Sequence, residues 1–200
     1  MDSTSDQLRT AIVVGSTRPG RRAETVARWV HGIAAERDDA SYEVVDLAEY
    51  ALPHLDEPVP PMAGMYSRPH THEWAATIGA FDAYVFVTPE YNHSTSGALK
   101  NAIDFLFAEW NDKAAGFVSY GAAGDGIRAV EHLRLVMGEL KVAPVRAQVA
   151  LSLVDDFEDY RDPAGAFTPR EHQHDSVVAM LDDLVAWAGA LRPLRTLAAT

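Results

Sequence analysis

The sequence contains no cysteine. This absence excludes a disulfide framework, a thiolate nucleophile and cysteine-ligated zinc or iron–sulfur sites, so we expect a cytoplasmic protein. There is also no uninterrupted apolar run of the roughly 20 residues needed to span a bilayer. The polar, acidic stretch 1–7 has the features of neither a secretory signal nor a transit peptide. We therefore expect no membrane association and a disordered tail over 1–8.

Basic residues are scarce. The chain has 17 Lys and Arg against 29 Asp and Glu, which gives a formal net charge of -12. This charge argues against a nucleic-acid partner. The length of 200 residues, with 48% of them hydrophobic, suits a single domain over 1–200 with one core. Against this acidic background, the arginines at 18, 21 and 22 form a distinct local cluster.

The arginine cluster lies where a predicted strand leads into a predicted helix. An apolar run ends at Gly15, and Ser16 and Thr17 begin a polar turn before the helix. Backbone N–H groups in such a turn form a concave anion site that faces the positive end of the helix. Arginine in the first helical turn costs roughly 0.3–1 kcal/mol unless an anion faces it. The segment predicts an anion site, and solvated surface charge is the alternative.

Strand-like and helical patterns alternate along the rest of the chain. This alternation predicts a parallel sheet with right-handed crossovers, and about five strands predict the doubly wound order 2-1-3-4-5 with helices on both faces. We predict strands at 10–14, 42–47, 84–88, 113–120 and 143–151, helices at 22–37, 71–80, from Ser94 or Ser96 to 107, 127–140 and 171–195, a long proline-rich loop at 51–67 and an irregular segment at 155–169.

That strand order has a consequence for the ligand site. The loops after the first and third strands meet at the topological switch point, where such folds bind ligands. The third strand leads into a Pro-Glu-Tyr-Asn segment at 89–92, which adds an aromatic and an amide to the anion donors. The P-loop pattern is absent because Gly20 is followed by Arg21, and the dinucleotide fingerprint is absent because position 17 is threonine. A monophosphate with a planar, hydrogen-bonding head group suits both loops.

These residues resemble the NADPH-dependent FMN reductase family. The resemblance covers about 10–151, and Pro-Glu-Tyr-Asn is its most specific motif. It implies a flavodoxin-like three-layer sandwich. The matching segments are Gly-Ser-Thr-Arg at 15–18 with Gly20, Pro-Glu-Tyr-Asn at 89–92, Gly-x-Leu-Lys-Asn-Ala-Ile-Asp at 97–104, and Ser-Tyr-Gly at 119–121.

The resemblance also implies which residues hold FMN. It assigns the phosphate to Gly15, Ser16, Thr17, Arg18 and, by position, Arg21 or Arg22. It assigns the ribityl chain and ring edges to Pro89, Glu90, Tyr91 and Asn92, and it places Ser119, Tyr120 and Gly121 against the ring. The sequence departs from the family where Arg21 replaces a common serine, where Ser96 replaces the usual proline, and where 123–125 lacks a glycine pair.

The family's implied reaction is a ping-pong transfer. NADPH or NADH reduces FMN and leaves, after which a quinone, free flavin, azo compound or oxidised metal ion takes the electrons. We expect no catalytic side chain, because the cofactor carries such chemistry. The resemblance further implies a homodimer or homotetramer, to which the proline-rich loop could contribute.

Two other function classes remain open. A flavodoxin-type electron carrier would share the fold and FMN without oxidising NADPH, although its phosphate loop would lack arginine. A scaffold that had lost its cofactor would have little reason to keep both loops.

Other side chains suggest different chemistry. His70 with His72, and His172 with His174, form pairs that lack an obvious third ligand, so we expect no metal site. His93 either touches the flavin rim or is ordinary loop surface. Ser94 and Ser96 lie outside a G-x-S-x-G motif, so helix capping is the stronger interpretation.

Overall fold

A computed structural model describes residues 7–162 and 164–198. The five strands form one parallel sheet of order β2-β1-β3-β4-β5, which confirms the predicted topology. The strands are β1 (Leu8–Val14), β2 (Ala40–Asp46), β3 (Ala83–Pro89), β4 (Lys113–Gly121) and β5 (Val142–Ser152). The helices are α1 (Ala23–Ala34), α2 (Leu47–Tyr50), α3 (Pro69–Gly79), α4 (Gly97–Asp104), α5 (Ile127–Glu139) and α6 (Glu171–Ala198), with short 3₁₀ turns at Pro61–Ala63 and Ala108–Trp110.

Helices cover both faces of the sheet. One buried cluster joins the sheet to α1 and α6, and the other joins it to α3, α4 and α5. Every residue of β3 and β4 is buried, because both strands are central and covered on both faces. The flavodoxin-like three-layer sandwich is therefore confirmed. In the part of the chain that the structure describes, no helix combines the length and apolarity needed to cross a membrane.

Several predicted boundaries were wrong. β1 begins at Leu8, which pairs with Ala40 and packs on the core, so Leu8 does not belong to a disordered tail; residues 1–6 lie outside the described residues. β2 begins at Ala40 and ends at Asp46, whose carboxylate accepts a hydrogen bond from the N–H of Ala48 at 2.9 Å and caps α2. The strand ends at Asp46 because this residue is the N-cap of α2.

The predicted helices also differ at their ends. α1 ends at Ala34 instead of residue 37, α4 ends at Asp104 instead of 107, and α6 extends beyond the predicted residue 195 to Ala198. Periodicity alone does not locate such termini, because the apolar face continues into the turn that follows.

The proline-rich loop is irregular except for the 3₁₀ turn. Asn101 on α4 holds it from both sides: its Nδ2 donates to the carbonyl of Pro53 at 2.8 Å, and its Oδ1 accepts from the N–H of Leu55 at 3.0 Å. At the other end, the Glu57 carboxylate accepts from the N–H groups of Ser67 and Arg68 at 2.9 and 3.0 Å. These bonds fix the loop beside α4.

Candidate cofactor site

The loop after β1 is pressed against the end of β3. The N–H of Gly15 donates to the carbonyl of Val87 at 2.8 Å, which extends the pairing of the two strands. A Cβ at position 15 would lie 2.5 Å from that oxygen and 2.9 Å from Cδ2 of Leu99. Only glycine fits there, so the chain leaves the carboxyl end of β1 packed closely against β3 and α4.

Ser96 ties this loop to the helix that follows β3. Its Oγ donates to the carbonyl of Gly15 at 2.5 Å and accepts from the N–H of Leu99 at 3.0 Å. The side chain is 2% exposed and is the N-cap of α4. The capping interpretation is confirmed for Ser96. Ser94 does not cap α4; its Oγ lies 2.9 Å from Nδ1 of His132.

Tyr91 lies over the first loop. Its hydroxyl is 3.3 Å from Oγ of Ser16 and accepts from Nε of Arg18 at 3.2 Å. Ser16 is buried, whereas Arg18 and Tyr91 are exposed. Loops that are more than 70 residues apart in sequence therefore contact each other, as the strand order predicts.

The segment that carries Tyr91 is a tight turn. The N–H of Tyr91 donates to the carbonyl of Ser94 at 2.9 Å, and the N–H of Ser94 returns a bond of 3.1 Å. Asn92 and His93, at the centre of the turn, have φ of 50° and 73°. Two left-handed central residues are the mark of a type I′ turn. This geometry presents Asn92 and His93, both exposed, at the rim of the cleft.

The three arginines of the first loop have different surroundings. Arg18 is exposed, and besides its bond to the Tyr91 hydroxyl its guanidinium donates to the nearby carbonyls of Pro19 and Gly20, at 3.3 and 3.4 Å. Arg21 forms an ion pair with Asp46 and lies 3.7 Å from Oε2 of Glu24. Arg18 therefore has the guanidinium that a ligand can most easily reach, while Arg21 is already balanced by carboxylates.

Arg22 is buried, with 4% of its surface exposed. Its guanidinium donates to the carbonyls of Asp159 at 2.6 Å, Gly165 at 2.7 Å and Asp162, and it lies 5.1 Å from the ring centre of Phe157. The side chain thus anchors the 157–165 segment to the start of α1. For both arginines, protein partners offset the helix-dipole cost that had suggested an anion beside Arg21 and Arg22.

The turn after β4 begins next to the loop after β3, because the N–H of Glu90 donates to the carbonyl of Tyr120 at 3.1 Å. The buried Ser119 hydroxyl donates to the carbonyl of Asp125 at 2.9 Å, so this side chain pins the turn. A Cβ on Gly121 would lie 2.7 Å from the nitrogen of Gly126, whose φ is 81°. The turn at 121–126 is consequently folded tightly against the end of β4.

Tyr120 reaches the start of α1. Burial raises the pKa of its hydroxyl above the ordinary value, as does the neighbouring Tyr91, while Arg18 and the backbone N–H of Ala23 act in the opposite direction. The Tyr120 side chain therefore lies beside the loop after β1, and its hydroxyl stays protonated at neutral pH.

Sequence reasoning missed Arg128. This residue, in the first turn of α5, forms an ion pair with Glu90 and donates from Nη2 to the carbonyl of Ala123 at 2.8 Å. The argument that singled out Arg21 and Arg22, a cation in the first turn of a helix, applies equally to Arg128 and would have identified it.

The histidine pairs have ordinary surroundings. Nε2 of His70 lies 2.9 Å from Oδ1 of Asp56, and Nδ1 of His174 lies 3.8 Å from Oδ1 of Asp175. Over the described ranges 7–162 and 164–198, no group of three or more metal-ligating side chains is found.

The donor set fits a phosphorylated flavin. The Ser16 hydroxyl and the Arg18 guanidinium lie together in the loop that leads to the N-terminus of α1, and these donors suit a phosphate. The exposed Asn92 and a buried Glu90 oxygen without a hydrogen-bond partner supply polar groups toward the second loop, which suits a hydrogen-bonding ring system.

Comparisons with known proteins agree with this geometry. The family model for NADPH-dependent FMN reductase matches residues 8–156. The chain is 39% identical over 161 residues to an NAD(P)H-dependent FMN reductase of Schizosaccharomyces pombe, covering 78% of this chain and 80% of the relative. It is 38% identical over 141 residues to a quinone reductase of Escherichia coli, covering 66% and 71%.

A solved oxidoreductase structure from Corynebacterium diphtheriae has a TM-score of 0.66 and covers 93% of this chain and 99% of its own. At 16% identity this likeness concerns the fold alone. The match to the family model concerns more than the fold, because residues 8–156 include the sheet and both loops of the candidate site. The chain therefore belongs to the NADPH-dependent FMN reductase family and is an oxidoreductase whose cofactors are FMN and NAD(P)H.

Proposed function

We propose that this protein passes electrons from NADPH or NADH through bound FMN to a small acceptor by a ping-pong mechanism. The observation that carries the proposal is the meeting of Ser16 and Arg18 with Tyr91, because it lets one ligand touch both loops. Relatives named FMN reductase and quinone reductase support a small-molecule acceptor. Quinones, free flavins, azo compounds and oxidised metal ions are the acceptor classes we propose.

The proposed phosphate contacts come from the first loop. They are the backbone from Gly15, the hydroxyls of Ser16 and Thr17, and the guanidinium of Arg18, with Arg21 contributing charge from beside its carboxylate partners. The Tyr91 hydroxyl now accepts from Arg18, and a phosphate oxygen would take over that bond. We leave Arg22 out of this set because its guanidinium holds the 157–165 segment.

The second loop and the turn after β4 are proposed to hold the ring. Pro89, Glu90, Tyr91 and Asn92 would border one edge, and the backbone from Ser119 through Gly121 would lie along the other. Bound FMN supplies the hydride-accepting centre. The chain's own part is to orient the ring, to leave one face open to two successive substrates, and to set the charge around it.

An anaerobic titration tests the function. NADPH added to the FMN-loaded protein without an acceptor should remove the flavin absorbance at one equivalent, and a quinone added afterwards should restore it. Initial rates at varied NADPH and quinone should give parallel double-reciprocal lines. Flavin binding without NADPH oxidation would instead select the electron carrier, and protein that binds no flavin would select the scaffold.

We also propose self-association as a homodimer or homotetramer. An apolar groove of about 400 Å³ lies between α4 and α5, and the exposed Met62 of the proline-rich loop borders it. Exposed apolar surface of this kind is typical of protein–protein contacts. Sedimentation equilibrium checks the proposal, and a monomer at micromolar concentration would contradict it. Cytoplasmic residence stays a prediction.

A further inference from the structure

One ion pair connects the two segments that the proposed function assigns to the flavin ring. Glu90 directly follows β3, and its N–H donates to the carbonyl of Tyr120 at 3.1 Å. Its carboxylate pairs with Arg128 in the first turn of α5, and Arg128 also donates to the carbonyl of Ala123 at 2.8 Å. A single guanidinium therefore fixes the loop after β3 to the turn after β4.

The burial of this pair is asymmetric. The Glu90 side chain is 6% exposed, whereas that of Arg128 is 42% exposed. A carboxylate removed from water in this way depends on its cation, because an uncompensated buried charge is strongly unfavourable. Truncating Arg128 would leave Glu90 unpaired and the Ala123 carbonyl without its bond, so the two segments would be joined by the backbone bond from Glu90 to Tyr120 without this side-chain connection.

The ion pair also leaves two of its own buried polar atoms without hydrogen bonds. Oε2 of Glu90 and Nε of Arg128 are both buried, and neither has a hydrogen-bond partner within the described residues. Buried polar groups in native proteins are nearly always satisfied by protein, water or ligand. Each partner of the pair therefore keeps one polar atom available for a ligand or a water at the junction of the two segments.

We propose that Arg128 is a positioning residue for the flavin ring: through Glu90 and Ala123 it holds the loop after β3 and the turn after β4 at the separation that the ring requires. This inference rests on the proposed function, since it takes these two segments as the ring's borders. It assigns Arg128 no contact with the phosphate.

Comparing FMN with riboflavin, which has the same ring but no phosphate, tests the proposal. Arg128→Met should weaken both ligands by the same factor, about tenfold or more, because a charge-assisted contact that positions the ring is lost. Arg128→Lys should restore part of this loss, since it keeps the charge but not the planar guanidinium whose Nη2 reaches both Glu90 and Ala123. Arg28→Met is the matched control: Arg28 is 75% exposed and pairs with Glu24 within α1.

Two further measurements separate positioning from simple stability. The double variant Glu90→Gln/Arg128→Met, which removes the unpaired carboxylate, should bind both ligands more tightly than Arg128→Met alone. The reduction potential of bound FMN should become more negative in Arg128→Met and stay nearer the wild-type value in Arg128→Lys, because a cation near the ring favours the reduced, more negative flavin.

Several results would overturn the inference. In one such result, Arg128→Met lowers the melting temperature but leaves the affinities for FMN and riboflavin within twofold of wild type. The reduction potential of bound FMN is then also unchanged within error. Another is an Arg128→Met variant that loses FMN affinity while riboflavin binding is unchanged, which would assign Arg128 to the phosphate. If Arg128→Met does not fold, an Arg128→Lys variant equal to wild type in every readout refutes the need for a guanidinium at this position. Wild-type protein that binds neither ligand would instead overturn the proposed function itself.

Discussion

Replacing Ser96 by alanine tests the connection on which the cofactor site depends. The serine Oγ makes two buried hydrogen bonds, one to the carbonyl of Gly15 and one to the N–H of Leu99. Alanine fits the space without a clash, so the variant removes these bonds and changes little else.

The expected magnitude follows from the two bonds. Loss of an N-cap side chain costs about 1 kcal/mol. Leaving the buried carbonyl of Gly15 without its donor costs a further ~1–3 kcal/mol. The free energy of unfolding of Ser96→Ala should therefore fall by roughly 2–4 kcal/mol. FMN affinity should fall as well, because the loop that starts at Gly15 loses its support from α4.

Urea unfolding of the FMN-free protein measures the first effect, and quenching of FMN fluorescence on binding measures the second. Ser176→Ala is the control, because this half-buried serine donates to the carbonyl of His172 within its own helix, at 2.8 Å, and joins no two segments. The control should stay within about 0.5 kcal/mol of wild type. A Ser96→Ala variant that does the same, with unchanged FMN affinity, would refute the claim that this contact holds the two loops together.

Three further predictions follow from individual side chains. Arg18→Ala should weaken FMN by roughly 1.5–3 kcal/mol while leaving riboflavin unaffected, as measured by fluorescence titration; an unchanged FMN dissociation constant would place the phosphate elsewhere. Arg22→Met should lower the free energy of unfolding by at least ~1–3 kcal/mol, because three carbonyls lose their donor, yet change FMN affinity by less than about twofold. Burial lowers the pKa of Lys113 from 10.5 to about 7, so between these values the folded state binds fewer protons than the unfolded chain. The free energy of unfolding should then rise with pH across this window, by at most about 1.4 kcal/mol per pH unit, and Lys113→Met should remove that rise in urea unfolding at about pH 7, 8 and 9.

The sequence by itself determined the architecture and predicted which two loops form the candidate site. Apolar runs and helical periodicity alternate clearly enough to predict the strand order, because each pattern reflects local burial on one or two faces. The strand order in turn predicted that the loop at Gly15 and the loop at Tyr91 would meet, which the Ser16 and Arg18 contacts confirm. The glycine at position 15 and the cap at Ser96 were likewise visible as local signals.

Only the tertiary structure decided what each charged side chain does. Arg21 and Arg22 look equivalent in sequence, yet the first pairs with Asp46, 25 residues away, and the second binds carbonyls about 140 residues away. The pairing of Glu90 with Arg128 was equally hidden, since it joins the ends of two different strand–helix connections. A long, flexible cation can meet any acceptor that folding brings within reach, so its partner is a property of the packed molecule and not of its neighbours in the chain.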